Sequence, residues 1–576
     1  MVLAICRPWV YYLYMASVVG KKQSGKTYYY LVESARVGGK PRIVSQRYLG
    51  SAEEIEQRLS ESGPGEPQRT RHLAFGDLAA VWGMLERLGI ADIVDEVVGS
   101  RRSDASASVG TYFALAIANR VTAPCSKLAF SDWWAITAGD RLVKLSAAAL
   151  DHRRFWDAMD AVSADQLAEI ERRVVARMVV TFGLDCSGLV LDMTNFATYI
   201  DSANDRAPIA QRGRAKQKRT DLRLVGLGLV VSTDFGVPLV SHPYAGNRHD
   251  NSQFAEVLTE LVTRFETLAG AGGDLTLVYD AGQGSAANRA LMEESPLHFV
   301  GSVPPTDHLD LLAVPKSRYR SVDEERFVGL RAFETRATVY SHERRVIVTH
   351  SQRLHDKQLL GFTQTLAKAR RQLTEIAARL GRGNGRKSKE AVRAEIASVL
   401  APRWLDRVIS VRLHGETPAE LRLAWRTRPK AMAEIEDEVF GKRVLVTDRE
   451  DWSIAQVVTG YRSQWSVEAD FRQMKDPHVV SFSPMFHWTD AKIRVHVTHC
   501  VLALMTARLM VRQAAQATLE MSVRELLSTL AGIEETVLLY QGERGRPRAR
   551  RMLTDMTPAQ QRLYEVFGLD AYAPTR

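Results

Sequence analysis

A chain of 576 residues, 45% hydrophobic and 25% charged, has the composition of a globular protein and is too long for one simple core, so two to four domains are expected. Lys and Arg number 77 against 67 Asp and Glu, a net charge of +10 that favours a polyanionic partner. Cys6, Cys125, Cys186 and Cys500 lie far apart with no CxxC pair, which excludes a zinc ribbon or disulfide framework and fits a reducing cytosol. No apolar run reaches the roughly 18 residues of a membrane span, and residues 1–20 are broken by Arg7 and Pro8, a poor signal peptide.

In chain order, residues 1–60 form a β-rich segment, with a strand, a turn at Gly38-Gly39-Lys40-Pro41 and a strand over 24–50. A linker follows at 60–70, then a helical region over 72–178, expected to bind DNA. The texture changes at Gly188. Apolar runs end in Asp192 and Asp280, and strands are expected at 223–232, 237–244 and 297–303, with helices at 254–268 and up to Glu294. Three strands, helix, strand, helix, strand make a mixed α/β sheet over 185–304, with both carboxylates at strand ends where such folds place their sites. Residues 305–447 interrupt it as an insertion subdomain. There, Leu359, Phe362, Leu366, Ala369, Leu373, Ile376 and Leu380 keep helical spacing, and a glycine-rich basic turn leads to Val392, Ile396 and Val399. This spacing predicts an antiparallel helical hairpin whose tip, Arg382, Arg386, Lys387 and Lys389, faces DNA or a second subunit. The α/β domain resumes over 448–515, and 516–576 is a C-terminal region.

The densest chemistry lies in Tyr461–Lys475. At about 100° per residue, Tyr461, Gln464, Glu468, Arg472 and Lys475 fall within roughly 80° of one helix face. By itself that is equally an exposed amphipathic helix with i,i+4 charge pairs. Three carboxylates, Asp192, Asp280 and Glu468, can hold two hard cations, which together can activate an attacking oxygen and stabilise a leaving oxygen at phosphorus. Spacing does not select these three acids among 67.

A resemblance does. Tyr461, Glu468 and Lys475 match in register the Tyr-x2-Arg-x3-Glu-x6-Lys signature of a large group of bacterial insertion-sequence DDE transposases. Asp192-Met-Thr-Asn-Phe resembles that group's first-Asp motif, Gly226–Asp250 the strands and loop after it, and Tyr279-Asp280-Ala-Gly-Gln-Gly-Ser the second-Asp motif. Pro484–Asp490 and Tyr28–Gly50 resemble the subgroup with a long insertion before the Glu. One position departs: Gln464 stands where the signature has Arg, and lacks its charge and bidentate fork.

The resemblance implies a ribonuclease-H-like fold with a large insertion. It implies Asp192, Asp280 and Glu468 as catalytic ligands of two Mg²⁺ or Mn²⁺ ions, and metal-dependent cleavage at element ends followed by strand transfer. Tyr461, Gln464, Arg472 and Lys475 would contact end DNA. The partners would be double-stranded DNA and a second copy in a paired-end homodimer, with no membrane and a cytoplasmic, nucleoid-associated location. A nuclease on the same fold without strand transfer, or an inactive DNA-binding derivative, remains as an alternative.

Weaker signals surround these. The basic loop with Arg212, Arg214, Lys216, Lys218 and Arg219 is expected to hold phosphates, against a solvated loop. Arg544-Gly-Arg-Pro-Arg548 reads as a basic turn rather than a minor-groove hook. His496 and His499 read as core histidines, and Trp452, Trp465 and Trp488 as core, with stacking on an unpaired base as the alternative.

Overall fold

The computed structural model describes residues 15–37, 40–61, 66–99, 107–213, 221–270, 273–280, 285–339, 341–383, 386–541 and 548–575. The chain divides into two units. One comprises Met1–Leu73, Glu534–Asp555 and Ala573–Arg576; the other comprises Ala74–Ile533 and Met556–Tyr572. The first unit carries an antiparallel sheet of strands Met15–Gln23, Lys26–Val37 and Lys40–Ser51, so the expected strand pair gains a third member. The Gly38-Gly39 turn lies outside the described residues. Strands Glu534–Tyr540 and Arg548–Leu553 pair antiparallel in this unit, and the basic stretch 544–547 between them also lies outside the described residues.

The second unit is built on a nine-stranded sheet. Its strands are β1 (Gly188–Thr198), β2 (Arg223–Ser232), β3 (Pro238–Ala245), β4 (Thr276–Tyr279), β5 (His298–Val303), β6 (Arg320–Ser321), β7 (Leu330–Val339), β8 (His342–Ser351) and β9 (Lys442–Thr447). The spatial order is β6-β7-β8-β9-β5-β4-β1-β2-β3. β1, β2 and β3 form an antiparallel meander, while β1, β4 and β5 run parallel. β3-β2-β1-β4-β5 is the mixed α/β sheet the sequence pattern called for, in the ribonuclease-H-like arrangement the resemblance implied. Helices cover both faces, so its inner strands are largely buried: β4 is wholly buried, and β2 is buried along nine of its ten residues. Gly226 sits inside β2, not in a phosphate-binding loop. A Cβ there would meet the Tyr244 ring at 2.2 Å.

The insertion is only partly a separate body. β6 to β9 all belong to 305–447, yet they continue the central sheet beyond β5. What lies outside the sheet is the 352–441 stretch. Helix Gln352–Gly381 packs against Lys389–Leu400, with Ala369, Leu373, Ile376 and Leu380 buried on the first and Val392 and Ile396 on the second, while Phe362 packs on Phe440. Two of the four tip cations, Lys387 and Lys389, are ion-paired. Lys387 Nζ lies 2.9 Å from a Glu395 carboxylate oxygen that Arg379 also binds, and Lys389 bonds Glu416.

Helix Asp490–Gln516 packs beneath β3 and against helices Gly76–Leu88 and Val109–Thr122. It reaches the length and mean hydropathy of a membrane span, but 83% of that apolar window is buried inside the protein. It is a core helix, and His496 and His499 on it are buried. Burial drives both imidazoles far below their usual pKa.

Candidate active site

Register alone brings two of the acids together. β1 and β4 are parallel with Val190 opposite Val278. Two residues on, Asp192 is level with Asp280, the first residue after β4. Two-residue steps keep both on the same face, and neighbouring strands are about 4.8 Å apart. β4 and β5 are aligned with Tyr279 opposite Gly301, so Ser302 falls on the same level. Asp192, Asp280 and Ser302 thus form a row across three parallel strands.

Hydroxyl groups hold Asp280. Ser302 Oγ and Tyr461 Oη each donate to Asp280 Oδ1 at 3.0 Å, and the two hydroxyls are 3.1 Å apart. Tyr461 is buried, with the Arg443 guanidinium 4.9 Å from its ring centroid. Burial, reinforced by the Asp280 charge against the opposing effect of Arg443, pushes its phenol up to about 12, so it stays a proton donor near neutrality. Its hydroxyl is bonded to Asp280 inside the protein, while the residue also lines a cleft. Asp192 Oδ1 accepts from the Met193 amide at 2.7 Å.

The expected single helix is two. A capping box of Ser453 and Gln456 starts Ile454–Arg462, and Gln464–Met474 follows after Ser463. Ser463 Oγ donates to the Gly460 carbonyl and Ser466 Oγ to the Ser463 carbonyl, competing with the helical ladder at the junction. The five signature residues therefore do not share one unbroken face. Tyr461 turns inward from the first helix, and Glu468 is exposed on the second.

That second helix lies across β1 and β2. Asp470 is fully buried and bonded to Arg508, with its carboxyl pushed up to about 7 by burial, which outweighs the Arg508 charge. At its end, Lys475 Nζ donates to Thr194 Oγ1 at 3.1 Å and stands 5.4 Å from the Phe196 ring centroid. Thr194 is two residues beyond Asp192, on the same face of β1. Tyr461 and Lys475 thus bind the two acid-bearing strands, and Glu468 lies midway between them in sequence.

The remaining expected contacts divide. Arg472 is exposed. Gln464 is half-buried, and its amide nitrogen is buried without a hydrogen-bond partner. Arg212 is exposed, while Arg214, Lys216, Lys218 and Arg219 lie outside the described residues. Beside Tyr461, Arg353, Lys357, Arg443, Arg462 and Trp465 line a cleft of about 510 Å³. Trp465 is 66% exposed and Trp488 43% exposed, so neither is a core residue as expected. Ser302 and Thr194 could have been found by aligning the expected strands. Arg353, Lys357 and Arg443 carry no local signal: the first two are brought in by the start of helix Gln352–Gly381 and the third by β9.

Among the described residues, no group of three or more His, Cys, Asp and Glu side chains is gathered to hold a metal ion. The donor set still suits a hard divalent cation, with Asp192 and Asp280 level on adjoining strands and Glu468 on the helix that crosses β1.

A family model described as a transposase DDE domain matches residues 187–483, just over half the chain. Among solved structures, a cryo-EM structure of a piggyBac transposase synaptic complex with hairpin DNA is similar at 10% sequence identity and a TM-score of 0.35, covering 81% of this chain and 82% of that one. No curated protein matches this chain.

Proposed function

Since the chain belongs to the transposase DDE domain family, we propose that it cleaves DNA at the ends of a mobile element and transfers the freed 3′ ends to target DNA. Within that family we assign it to the bacterial insertion-sequence group with the Tyr-x2-Arg-x3-Glu-x6-Lys signature and its long-insertion subgroup. The observation that carries this reading is the level row of Asp192, Asp280 and Ser302, bound through Tyr461 and Thr194 to both ends of the segment bearing Glu468.

Asp192, Asp280 and Glu468 would hold Mg²⁺ or Mn²⁺, which when bound supplies positive charge to the attacking and leaving oxygens at phosphorus. The chain's own residues orient the acids. Ser302 and Tyr461 fix one oxygen of Asp280. Arg508 anchors the Glu468 helix through Asp470. Lys475, at the edge of the row, is placed to meet a DNA phosphate in exchange for its bond to Thr194. The exposed cations of the cleft beside Tyr461 suit the same backbone. Two element ends must be processed together, so a paired-end homodimer acting at the nucleoid follows from the reading.

The test uses duplex DNA carrying the element's own ends. Incubation with Mg²⁺ should release cleaved ends, and an end cleaved beforehand should be joined to a target plasmid. Cleavage without joining would reduce the protein to a nuclease on this fold, and neither activity would remove the reading.

A further inference from the structure

Residues 15–51, which form the antiparallel sheet of Met15–Gln23, Lys26–Val37 and Lys40–Ser51, carry seven Lys and Arg and one acid, Glu33, a net +6 against +10 for the whole chain. The register sorts these charges between two faces. On one, Lys21 Nζ donates to the Gln46 side chain at 2.8 Å and stands 5.0 Å from the Tyr30 ring centroid. Tyr28 and Tyr30 meet Tyr48 there at 6.0 and 5.3 Å between ring centroids, and Val32 is buried. The side chains of that face are engaged with one another.

The other face is open. The middle strand presents Thr27, Tyr29, Leu31 and Glu33 on it, at alternate positions. A Cβ on Gly20 would meet Thr27 at 3.1 Å and the Tyr29 ring at 3.4 Å, so both side chains stand over this face. Lys22 of the first strand is opposite Thr27, and Arg47 and Arg42 of the last are opposite Leu31 and Ala35. The register shift between Glu33 and Ser34 brings Arg42 here. Without it, Arg47 and Arg42, five residues apart, would point to opposite sides. Lys22, Glu33, Arg42 and Arg47 are all exposed. Cations thus stand on the two outer strands, and the middle strand has none on this face.

Three strands about 4.8 Å apart span roughly 10 Å, and the major groove of B-DNA is about 12 Å wide between two rails of phosphates. We propose that this face lies in the major groove of the element's end and reads its sequence. Lys22 meets one phosphate rail and Arg42 and Arg47 the other. Between them, the middle strand faces the base edges, where the Glu33 carboxylate accepts from a cytosine amino group and the Thr27 methyl packs on a thymine methyl. The inference deepens the proposed function and rests on DNA being the substrate. It places end recognition in the first unit, outside the family model's 187–483 match and outside the helical region 72–178 first expected to bind DNA.

Fluorescence anisotropy of the full chain, over a range of salt, would compare a duplex of the element's end with a shuffled duplex of the same composition. Wild type should prefer the end by about 10³-fold or more. Arg42→Ala with Arg47→Ala should weaken binding to both duplexes and flatten the slope of log affinity against log salt by about two phosphates' worth. Arg42→Lys with Arg47→Lys, which keeps the charge, should restore the slope. Glu33→Ala should relax the preference for the end by about tenfold, while the shuffled duplex binds at least as tightly as to wild type. These positions are exposed, so the variants should melt as wild type does. An unaltered salt slope in the double alanine variant, or an end preference undiminished by Glu33→Ala, would overturn the proposal. So would aggregation of the double variant with unchanged binding, which would make these cations guards of the sheet edges. If wild type binds neither duplex, the transposase reading falls and takes this surface with it; if wild type prefers the end and every sheet variant does so equally, this surface alone falls.

Discussion

Asp280 ends a wholly buried strand and accepts hydrogen bonds from Ser302 and Tyr461, whereas Glu468 stands exposed on a helix. Among the described residues, no hydrogen bond or ion pair reaches the Glu468 carboxylate. One acid is preset by the sheet. The other is placed by anchors on either side of it, the Asp470–Arg508 pair and the Lys475–Thr194 bond, and keeps its own rotamer freedom. A row of acids on adjoining strands is fixed by backbone register, which leaves little to adjust. A helix-borne acid is the element that bound metal and DNA can draw into place.

The comparison is sharpest where either acid is removed. Asp280→Ala and Glu468→Ala should each lower end cleavage by about 10³-fold or more while leaving binding to end DNA near wild type, since charge at the reacting phosphate and cationic contacts elsewhere are separate contributions. Parallel loss of binding and cleavage, in a gel-shift and a cleavage assay on one preparation, would make the residue structural.

Arg508→Met tests the anchor of the helix. It leaves Asp470 buried without its partner, which should cost about 3 kcal/mol in urea unfolding. The sign with pH follows from the raised carboxyl. Asp470 is about 7 in the folded chain against about 3.9 unfolded, so its contribution is full below about pH 4 and is lost as pH rises towards 7. The variant should therefore be closer to wild type at pH 5, where folded Asp470 is protonated, than at pH 8. An equal deficit at both pH values would show that Asp470 does not carry the charge in question.

Tyr461→Phe removes one of the two hydroxyls on Asp280 and no bulk. Cleavage should fall by about tenfold, as for a hydrogen bond to a charged group, with DNA affinity unchanged. Combined with Ser302→Ala, the loss should depart from additivity, because both hydroxyls serve one oxygen. A Tyr461→Phe variant that loses DNA binding instead would return this residue to the interface role first expected of it.

Lys475→Ala is the smallest change. The slope of log affinity against log salt should flatten by about one phosphate's worth, with a modest loss of end binding. An unaltered slope would confine Lys475 to holding the helix on Thr194.

The mixed sheet was readable from its apolar runs, and the parallel register then levels Asp192 with Asp280, but β1 continues to Thr198, so Asp192 stands in mid-strand and not at a strand end as expected. The helix break at Ser463 was not readable, because Ser463 and Ser466 look like ordinary polar positions until their hydroxyls are seen on the Gly460 and Ser463 carbonyls. Periodicity across the break therefore treated Tyr461 and Glu468 as sharing one helix. The strands of 320–351 and 442–447 were read as part of a separate insertion subdomain on the sheet edge, because β-sheet edges recruit partners that are distant in sequence and leave no local trace. Arg443 of the cleft beside Tyr461 was hidden for the same reason, and Arg353 and Lys357 because the helix that follows β8 brings them there. Trp465 and Trp488 were assigned to the core by residue type, and the chain exposes them.

The central claim is that Asp192, Asp280 and Glu468 converge on one divalent-cation site despite their different supports. Hydroxyl-radical cutting of the polypeptide by Fe²⁺ in place of Mg²⁺, with end DNA bound, tests this most directly. Cuts clustered near residues 192, 280 and 468, all weakened by Asp280→Ala, are the expected result. Cuts elsewhere, or cuts near 192 and 280 that never include the Glu468 helix, would contradict it.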